Sequence, residues 1–157
     1  MALVRRFEQM DAAEFERALA GLCARDGCSE VAVVGGSGDL GADVVATTPG
    51  GARLVIQAKR YSGGNLVSSP DLQKFGGTCY AVHAAEVAVV VTTTAFTRQA
   101  MMYARQMGIR LVDGAALNAW ASGSGAPPWK RPLLGRGLNA GDGAAGGNAS
   151  GWPWLAR

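Results

Sequence analysis

Histidine is almost missing from this sequence, and cysteine is scarce. His83 is the only histidine, and Cys23, Cys28 and Cys79 are the cysteines. A single histidine excludes metal centres built from several imidazoles. An odd and low cysteine count is not the pattern of a disulfide framework, so reduced thiols in a cytoplasmic protein are expected. Zinc is often bound by cysteine and histidine, and these four residues form two pairs. The pairs fall on predicted helices far apart in the sequence, which favours buried, apolar cysteines over a zinc site.

Long hydrophobic runs are also absent. No apolar run approaches the ~18 residues that span a membrane, and the N-terminus lacks the apolar region of a signal peptide. The 157 residues are 48% hydrophobic and 17% charged, which is typical of one globular domain with its own core. We therefore expect a soluble protein of the cytoplasm. The formal net charge of +3 permits a polyanionic partner without requiring one.

The sequence does contain a strong β-hairpin signal. Two predicted strands, 43–47 and 53–59, flank the turn residues Thr48-Pro49-Gly50-Gly51. Side chains alternate along a strand, so Gln57 and Lys59 share one face. A turn centred on the Pro-Gly pair places Asp43 opposite the Gln57 region, to within a residue or two. An acid, an amide and a lysine are thus predicted to meet at one end of the hairpin.

Each member of this group has a use in phosphate chemistry. The Asp43 carboxylate and the Gln57 amide oxygen are hard ligands that suit Mg²⁺, and the Ala58 carbonyl can add a third. Lys59 can hold a phosphate or help to deprotonate a water acidified by the metal. The alternative is a solvated strand end, where Asp43 and Lys59 form an ordinary surface ion pair.

The hairpin resembles the core of the PD-(D/E)xK nuclease superfamily, and more closely its Mrr-like restriction endonuclease family. That family uses a Q-x-K motif in place of acid-x-Lys, and this chain has Gln57-x-Lys59. Matching residues occur in the same order along the chain from about 11 to 120: Phe15-Glu16, Gly38 to Asp43, Gln57 to Tyr61, Val91 to Thr93 and Leu111 to Gly114.

The resemblance implies a metal-dependent DNA endonuclease of the restriction type, which hydrolyses phosphodiester bonds in modified or foreign DNA. It implies that Asp43 and Gln57 hold Mg²⁺, with Mn²⁺ as a substitute, and that Lys59 positions the water and the scissile phosphate. It further implies that Glu16 assists through the metal or the water, although a solvated helix face also explains this residue. Asp39 ranks below Asp43 as a carboxylate ligand, because an Asx turn explains it equally well.

The order of predicted elements indicates an α/β fold with a restriction-endonuclease-like mixed central β-sheet flanked by helices. A helix from Asp11 to about Arg25 starts with a capping box completed by Glu14. Strand 30–34 and the antiparallel hairpin follow, then a helix capped by Ser69 that runs to about 84. An apolar strand over 86–93, a helix capped by Thr97 and strand 109–112 favour a parallel pairing through a right-handed crossover. A short helix ends near 120.

Basic and aromatic residues near the predicted site are candidates for contacts with a DNA backbone. They are Arg60, Tyr61, Asn65 and Lys74. Solvated surface charge explains each of them singly just as well.

A change in composition near residue 120 predicts two regions. Residues 1–120 form the nuclease domain, and residues 121–157 form a Gly/Ala-rich, flexible tail. Tryptophans in this tail, which include Trp129, Trp152 and Trp154, either stack on unpaired bases or dock on the domain or a partner.

DNA is the expected partner, and neither a membrane nor an organic cofactor is expected. Cutting both strands requires two sites, which makes a homodimer plausible. Two other classes stay open: a non-catalytic nucleic-acid-binding module of the same fold, and a structural or toxin–antitoxin-like partner protein. A junction-resolving or end-processing nuclease would share the same site.

Overall fold

The computed structural model describes residues 2–34, 41–80 and 83–131, and for residues 2–5 it describes the backbone alone. The helices are α1 (Ala2–Gln9), α2 (Ala12–Arg25), α3 (Ser69–Cys79), α4 (Arg98–Met107) and α5 (Gly114–Ser122), with a final 3₁₀ turn at Pro128–Lys130. The strands are β1 (Ser29–Val33), β2 (Val44–Thr47), β3 (Arg53–Lys59), β4 (Val87–Thr92) and β5 (Arg110–Val112). Within the described part of the chain, no helix has the length and hydropathy of a membrane span.

The five strands form one sheet in the order β1-β2-β3-β4-β5. The first three strands pair antiparallel, and β3, β4 and β5 pair parallel. Helices α3 and α4 make the connections between the parallel strands, as crossovers of this kind require. The predicted mixed sheet flanked by helices is therefore confirmed.

The β2–β3 hairpin has the predicted turn. The Gly51 amide donates to the Thr48 carbonyl at 2.8 Å, and Gly51 has φ of 91°, a left-handed conformation that glycine adopts without steric cost. Val44 pairs with Ile56. The register therefore places Asp43 beside Gln57, as the sequence predicted.

The sheet separates two apolar layers. Helices α1, α2 and α5 cover one face, where Phe15 and Leu19 pack with Ile56 and Trp120. Helices α3 and α4 cover the other face, where Phe75 packs with Val55. Because side chains alternate along β3, Ile56 lies on the first face and Gln57 lies on the second.

Helix starts follow local capping chemistry, with one correction. In the predicted capping box of α2, the Glu14 amide donates to Asp11 at 2.7 Å and the Asp11 amide donates to Glu14 at 2.9 Å. The predicted cap Ser69 is wrong by one residue: Ser68 is the N-cap of α3. The shift occurs because the Ser68 amide donates to Asp71 at 3.1 Å, three residues further on.

The end of one helix and the presence of another differ from the predictions. Helix α3 ends at Cys79 instead of continuing to about residue 84. Helix α1, which has no capping signal in the sequence, was not predicted. It packs on the domain through Phe7, whose ring lies 5.9 Å from that of Phe15 in an edge-to-face arrangement.

Part of the expected tail contacts the domain. Helix α5 runs on to Ser122, and the Trp129 ring meets the Trp120 ring edge to face at 6.1 Å. Arg25 donates to the carbonyls of Trp120 and Ala121, both at 2.8 Å, so it satisfies the end of α5. Trp129 therefore docks on the domain. Trp152 and Trp154 lie outside the described residues.

Candidate active site

Asp43 is held against β3 at the point where the hairpin strands end. Its amide donates to the Ile56 carbonyl at 2.9 Å, and its Oδ2 accepts from the Ala58 amide at 2.7 Å. This contact orients the carboxylate at the ends of the two strands.

Gln57 is a polar side chain inside an apolar layer. It is only 7% exposed, and its Oε1 has no hydrogen-bond partner among the described residues. Gly41 lies against the amide: a Cβ at Gly41 would be 3.3 Å from Gln57 Nε2, and Gly41 has φ of 92°. A buried carbonyl oxygen without a partner costs about 1–3 kcal/mol. A ligand that bonded to this oxygen would offset that cost.

Lys59 is the last residue of β3 and lies two positions beyond Gln57, on the same face of the sheet. It is half-buried, and its carbonyl accepts from Thr92 Oγ1 at 2.8 Å. Thr92 is the last residue of β4 and pairs with Lys59. The parallel β3 and β4 strands therefore deliver their carboxyl ends to the same edge of the sheet, next to Asp43.

Asp71, in the first turn of α3, joins this edge although the sequence analysis did not assign it to the site. Its Oδ2 accepts from the Ser68 amide, the Ser68 hydroxyl and the Tyr61 hydroxyl, each at 3.1 Å. Burial alone would raise the pKa of Asp71, but the bonds from Ser68 and Tyr61, with the charge of Lys59, hold the pKa below its ordinary value. The Ser68-x-x-Asp71 spacing signals a helix cap, and nothing in it signals the contact with Tyr61.

Tyr61 points into the layer of α3 and α4, where it packs against the core. Burial, followed by the nearby Asp71 charge, raises the pKa of its phenol. Its backbone amide donates to Thr93 Oγ1 at 3.0 Å. Tyr61 is thus connected to Asp71 by its side chain and to the end of β4 by its backbone.

The other predicted residues lie around this group in different settings. Glu16 is half-buried on α2, the helix that covers the opposite face of the sheet, and its part in the site stays a prediction. Arg60 turns toward α1, where its Nη1 donates to the Glu8 carbonyl at 3.3 Å. Asn65 is exposed and donates to the Ser62 carbonyl at 3.1 Å, and Lys74 is exposed on α3. Asp39 lies outside the described residues.

The zinc arrangement does not occur in the described residues. Cys23 belongs to the layer of α2 and Cys79 to the layer of α3, on opposite faces of the sheet. Burial is the main reason that the pKa of each thiol is raised to about 12, so both are small apolar core residues. No cluster of three or more His, Cys, Asp or Glu side chains suited to a metal is present in the described part of the chain. At the strand ends, the described residues offer Asp43, Gln57 and backbone carbonyls as oxygen ligands for a metal.

Comparisons with known proteins give similarities in sequence and in fold. A family model described as restriction endonuclease (Mrr_cat) matches residues 7–121. The Type IV methyl-directed restriction enzyme EcoKMrr of Escherichia coli K12 is 41% identical over 87 residues, which make up 54% of this chain and 28% of that protein.

Two solved structures share the fold. The DNA modification-dependent restriction endonuclease AspBHI matches with a TM-score of 0.58 and 19% identity, over 78% of this chain and 35% of its own. The MspJI restriction endonuclease in complex with a 27-mer oligonucleotide matches with a TM-score of 0.52 and 21% identity, over 76% of this chain and 29% of its own. The chain thus spans about a third or less of the length of these relatives.

Proposed function

Since the chain belongs to the Mrr-like restriction endonuclease family, we propose that it hydrolyses phosphodiester bonds in DNA with a divalent metal ion. The observation that carries the proposal is the group at the ends of β2 and β3. There the carboxylate of Asp43, anchored by the Ala58 amide, lies at the same strand ends as Lys59 and as the buried Gln57 oxygen, which has no hydrogen-bond partner among the described residues.

The residues at this edge fit Mg²⁺ or Mn²⁺. Asp43 and Gln57 would hold the ion, with the Ala58 carbonyl and waters completing the shell, because hard cations prefer oxygen ligands. Gln57 Oε1 fits this role because it is buried and, within the described part of the chain, has no hydrogen-bond partner. The bound ion would act as a Lewis acid that lowers the pKa of a water and neutralises phosphate charge.

The chain's own residues would orient the substrate. Lys59 binds a non-bridging oxygen of the scissile phosphate and stabilises the negative charge that develops there during attack. The Ala58 amide keeps the Asp43 carboxylate fixed in position. Glu16 orients the attacking water or contributes to the metal shell from α2. The exposed Asn65 and Lys74 would contact the sugar-phosphate backbone beyond the site. Arg60 would have to leave the Glu8 carbonyl to do the same.

Modified DNA is the substrate class that we propose. EcoKMrr is named as methyl-directed and AspBHI as DNA modification-dependent. The residues described above hold and cut a phosphodiester without reading a base, so the same site would also serve a junction-resolving or end-processing nuclease. Substrate comparison separates these cases.

The first test compares the wild type with Lys59→Ala on methylated and unmethylated plasmid, with Mg²⁺, Mn²⁺ or EDTA. We expect metal-dependent cleavage of the methylated plasmid, absent with EDTA and reduced at least ~100-fold in Lys59→Ala, because the variant lacks the charge that stabilises the reacting phosphate. Lys130→Ala, an exposed lysine outside the site, is the matched control and should retain wild-type activity. Salt-dependent DNA binding without cleavage in any arm would instead identify a non-catalytic binding module.

A homodimer on DNA is part of the same proposal. The described residues supply one Asp43, Gln57 and Lys59 group per chain, whereas cutting both strands of a duplex requires two. Two copies related by a two-fold axis would place one site on each strand, and the dependence of double-strand cleavage on protein concentration tests this.

A further inference from the structure

The parallel pairing of β3 with β4 stops at Lys59, which is the last residue of its strand. The final pair of the two strands joins Lys59 to Thr92. The ends of secondary-structure elements fray more easily than their middles. A lysine that stabilises a reacting phosphate needs a fixed position, because a misplacement of about 1 Å can cost ~100-fold in rate. The backbone just beyond Lys59 is therefore important for the site.

Two threonine hydroxyls hold this backbone at the point where the strand pairing stops. Thr92 Oγ1 donates to the Lys59 carbonyl at 2.8 Å. Thr93 Oγ1 accepts from the Tyr61 amide at 3.0 Å and donates to the Tyr61 carbonyl. Two neighbouring side chains at the end of β4 thus bind three backbone groups within residues 59–61.

Both threonines are buried, and both follow an apolar strand. Thr92 is 0% exposed and Thr93 is 3% exposed, directly after the run of alanine and valine at positions 87–91. Valine has nearly the shape of threonine and a similar preference for strands. A buried hydroxyl costs free energy unless it is hydrogen-bonded, and the two bonds of the Thr93 hydroxyl both go to the backbone of Tyr61. The hydroxyl is thus what distinguishes threonine from valine at this position.

We propose that Thr93 is a positioning residue of the active site: by binding the amide and the carbonyl of Tyr61, its hydroxyl fixes the backbone that leaves β3, and thereby the position of Lys59. Thr92 acts with it by holding the Lys59 carbonyl. Thr93 acts through the backbone of residues 59–61 and not through a contact with DNA. The effect on cleavage rests on the function proposed above. The effect on the backbone does not, because it is a property of the protein without DNA or metal.

The first experiment measures backbone order by nitrogen-15 relaxation of the amides in the metal-free protein. Thr93→Val keeps the shape of the side chain and removes the hydroxyl, whereas Thr93→Ser keeps the hydroxyl. In Thr93→Val we expect the order parameters of residues 59–61 to fall from the rigid range, about 0.85, toward ~0.6. The amides of Val89 and Val90, in the middle of β4, should keep their order. Thr93→Ser should keep the order of residues 59–61.

Thr97→Val is the matched control, because it makes the same chemical change four residues further along the chain. Thr97 Oγ1 accepts from the Ala100 amide at 3.1 Å and caps α4. The variant should therefore melt at a lower temperature than the wild type, with the order of residues 59–61 unchanged. If these residues keep their order in Thr93→Val, or lose it equally in both variants, the proposal is overturned. Should Thr93→Val fail to fold, Thr92→Val takes its place with the same expectations.

The second experiment measures cleavage rates under the conditions in which the wild type is active and each variant is folded. Thr93→Val should lower kcat roughly 10- to 100-fold, with KM for DNA within about 2-fold of wild type. Thr93→Ser loses a buried methyl group and should melt at a lower temperature, yet keep kcat within about 2-fold because the hydroxyl remains. Equal losses of kcat in the two variants, or an unchanged kcat in Thr93→Val, would contradict positioning by the hydroxyl. An inactive wild type with the expected loss of backbone order would count against the proposed function alone.

Discussion

At the scale of single residues, Gln57 is the most informative side chain. Its buried oxygen lacks a partner among the described residues, so the fold carries a cost that an apolar residue of similar size would remove. A neutral amide also gives a cation less electrostatic attraction than a carboxylate gives. In the proposed metal site, Gln57 would therefore lower both the stability of the metal-free protein and its affinity for metal.

Two substitutions at this position separate those effects. Gln57→Glu should bind Mg²⁺ or Mn²⁺ roughly 10-fold more tightly, because it adds a negative charge to the ligand set. Gln57→Leu should bind metal more weakly than the wild type and yet unfold at a higher temperature without metal, because the unpaired oxygen is gone. Calorimetric titration and thermal unfolding check both outcomes. A folded Gln57→Glu protein with equal or weaker affinity would argue against Gln57 as a ligand.

At the scale of elements, the position of α3 depends on a close approach to α4. A Cβ placed on Gly76 would lie 2.2 Å from the Tyr103 hydroxyl oxygen, a distance that no relaxed structure accommodates. The next residue, Gly77, has no atom within 4 Å of such a Cβ. A side chain at Gly76 would thus displace the Tyr103 ring, whereas one at Gly77 would meet open space. Since α3 carries Asp71, this packing also sets one side of the site.

Gly76→Ala and Gly77→Ala form a matched pair for this contact. Gly76→Ala should lower the free energy of unfolding by about 1–3 kcal/mol, because Tyr103 must move to admit the methyl group. Gly77→Ala should raise it by up to ~1 kcal/mol, because alanine favours the helix and meets open space. Urea unfolding at constant m-value measures both. Equal effects from the two substitutions would show that the contact of Gly76 with Tyr103 does not constrain the packing of α3 on α4.

At the scale of the whole molecule, the candidate site lies where the antiparallel and parallel halves of the sheet share β3. The carboxyl ends of β3 and β4 meet at one edge, which brings Lys59 beside Thr92. The antiparallel β2 begins at the same edge and adds Asp43. One edge of the mixed sheet thus brings Asp43 and Gln57 together with Lys59. Each chain offers this arrangement once among its described residues.

This single arrangement gives a prediction about cleavage order. At low protein concentration a nicked plasmid should accumulate before the linear form, and the rate of linearisation should rise with about the square of concentration where the dimer is dilute. Time courses on agarose gels over a range of concentrations measure this. Adding Lys59→Ala chains to wild type should convert linear product into nicked product, because a mixed dimer has one active site. First-order linearisation without a nicked intermediate would rule out assembly of two copies on DNA as the limiting step.

Much of the hairpin site followed from local features. The Pro49-Gly50 turn and two short strands were sufficient to set Asp43 beside Gln57, because hairpin register depends on turn length and strand alternation. The capping box at Asp11 and the alternation that pairs Gln57 with Lys59 are likewise properties of a few neighbouring residues. Each of these features depends on residues that are close in the sequence, so their spacing is sufficient to predict it.

Contacts between layers required the tertiary structure. Three contacts join segments that sequence spacing does not bring together: Tyr61 with Asp71, Arg60 with α1, and Trp129 with Trp120. The existence of α1 was likewise visible only in the structure. The sequence by itself determined which residues share a strand face and where the chain reverses. Only packing decided which helix covers that face, because the burial of apolar surface does not specify which segments of the chain meet.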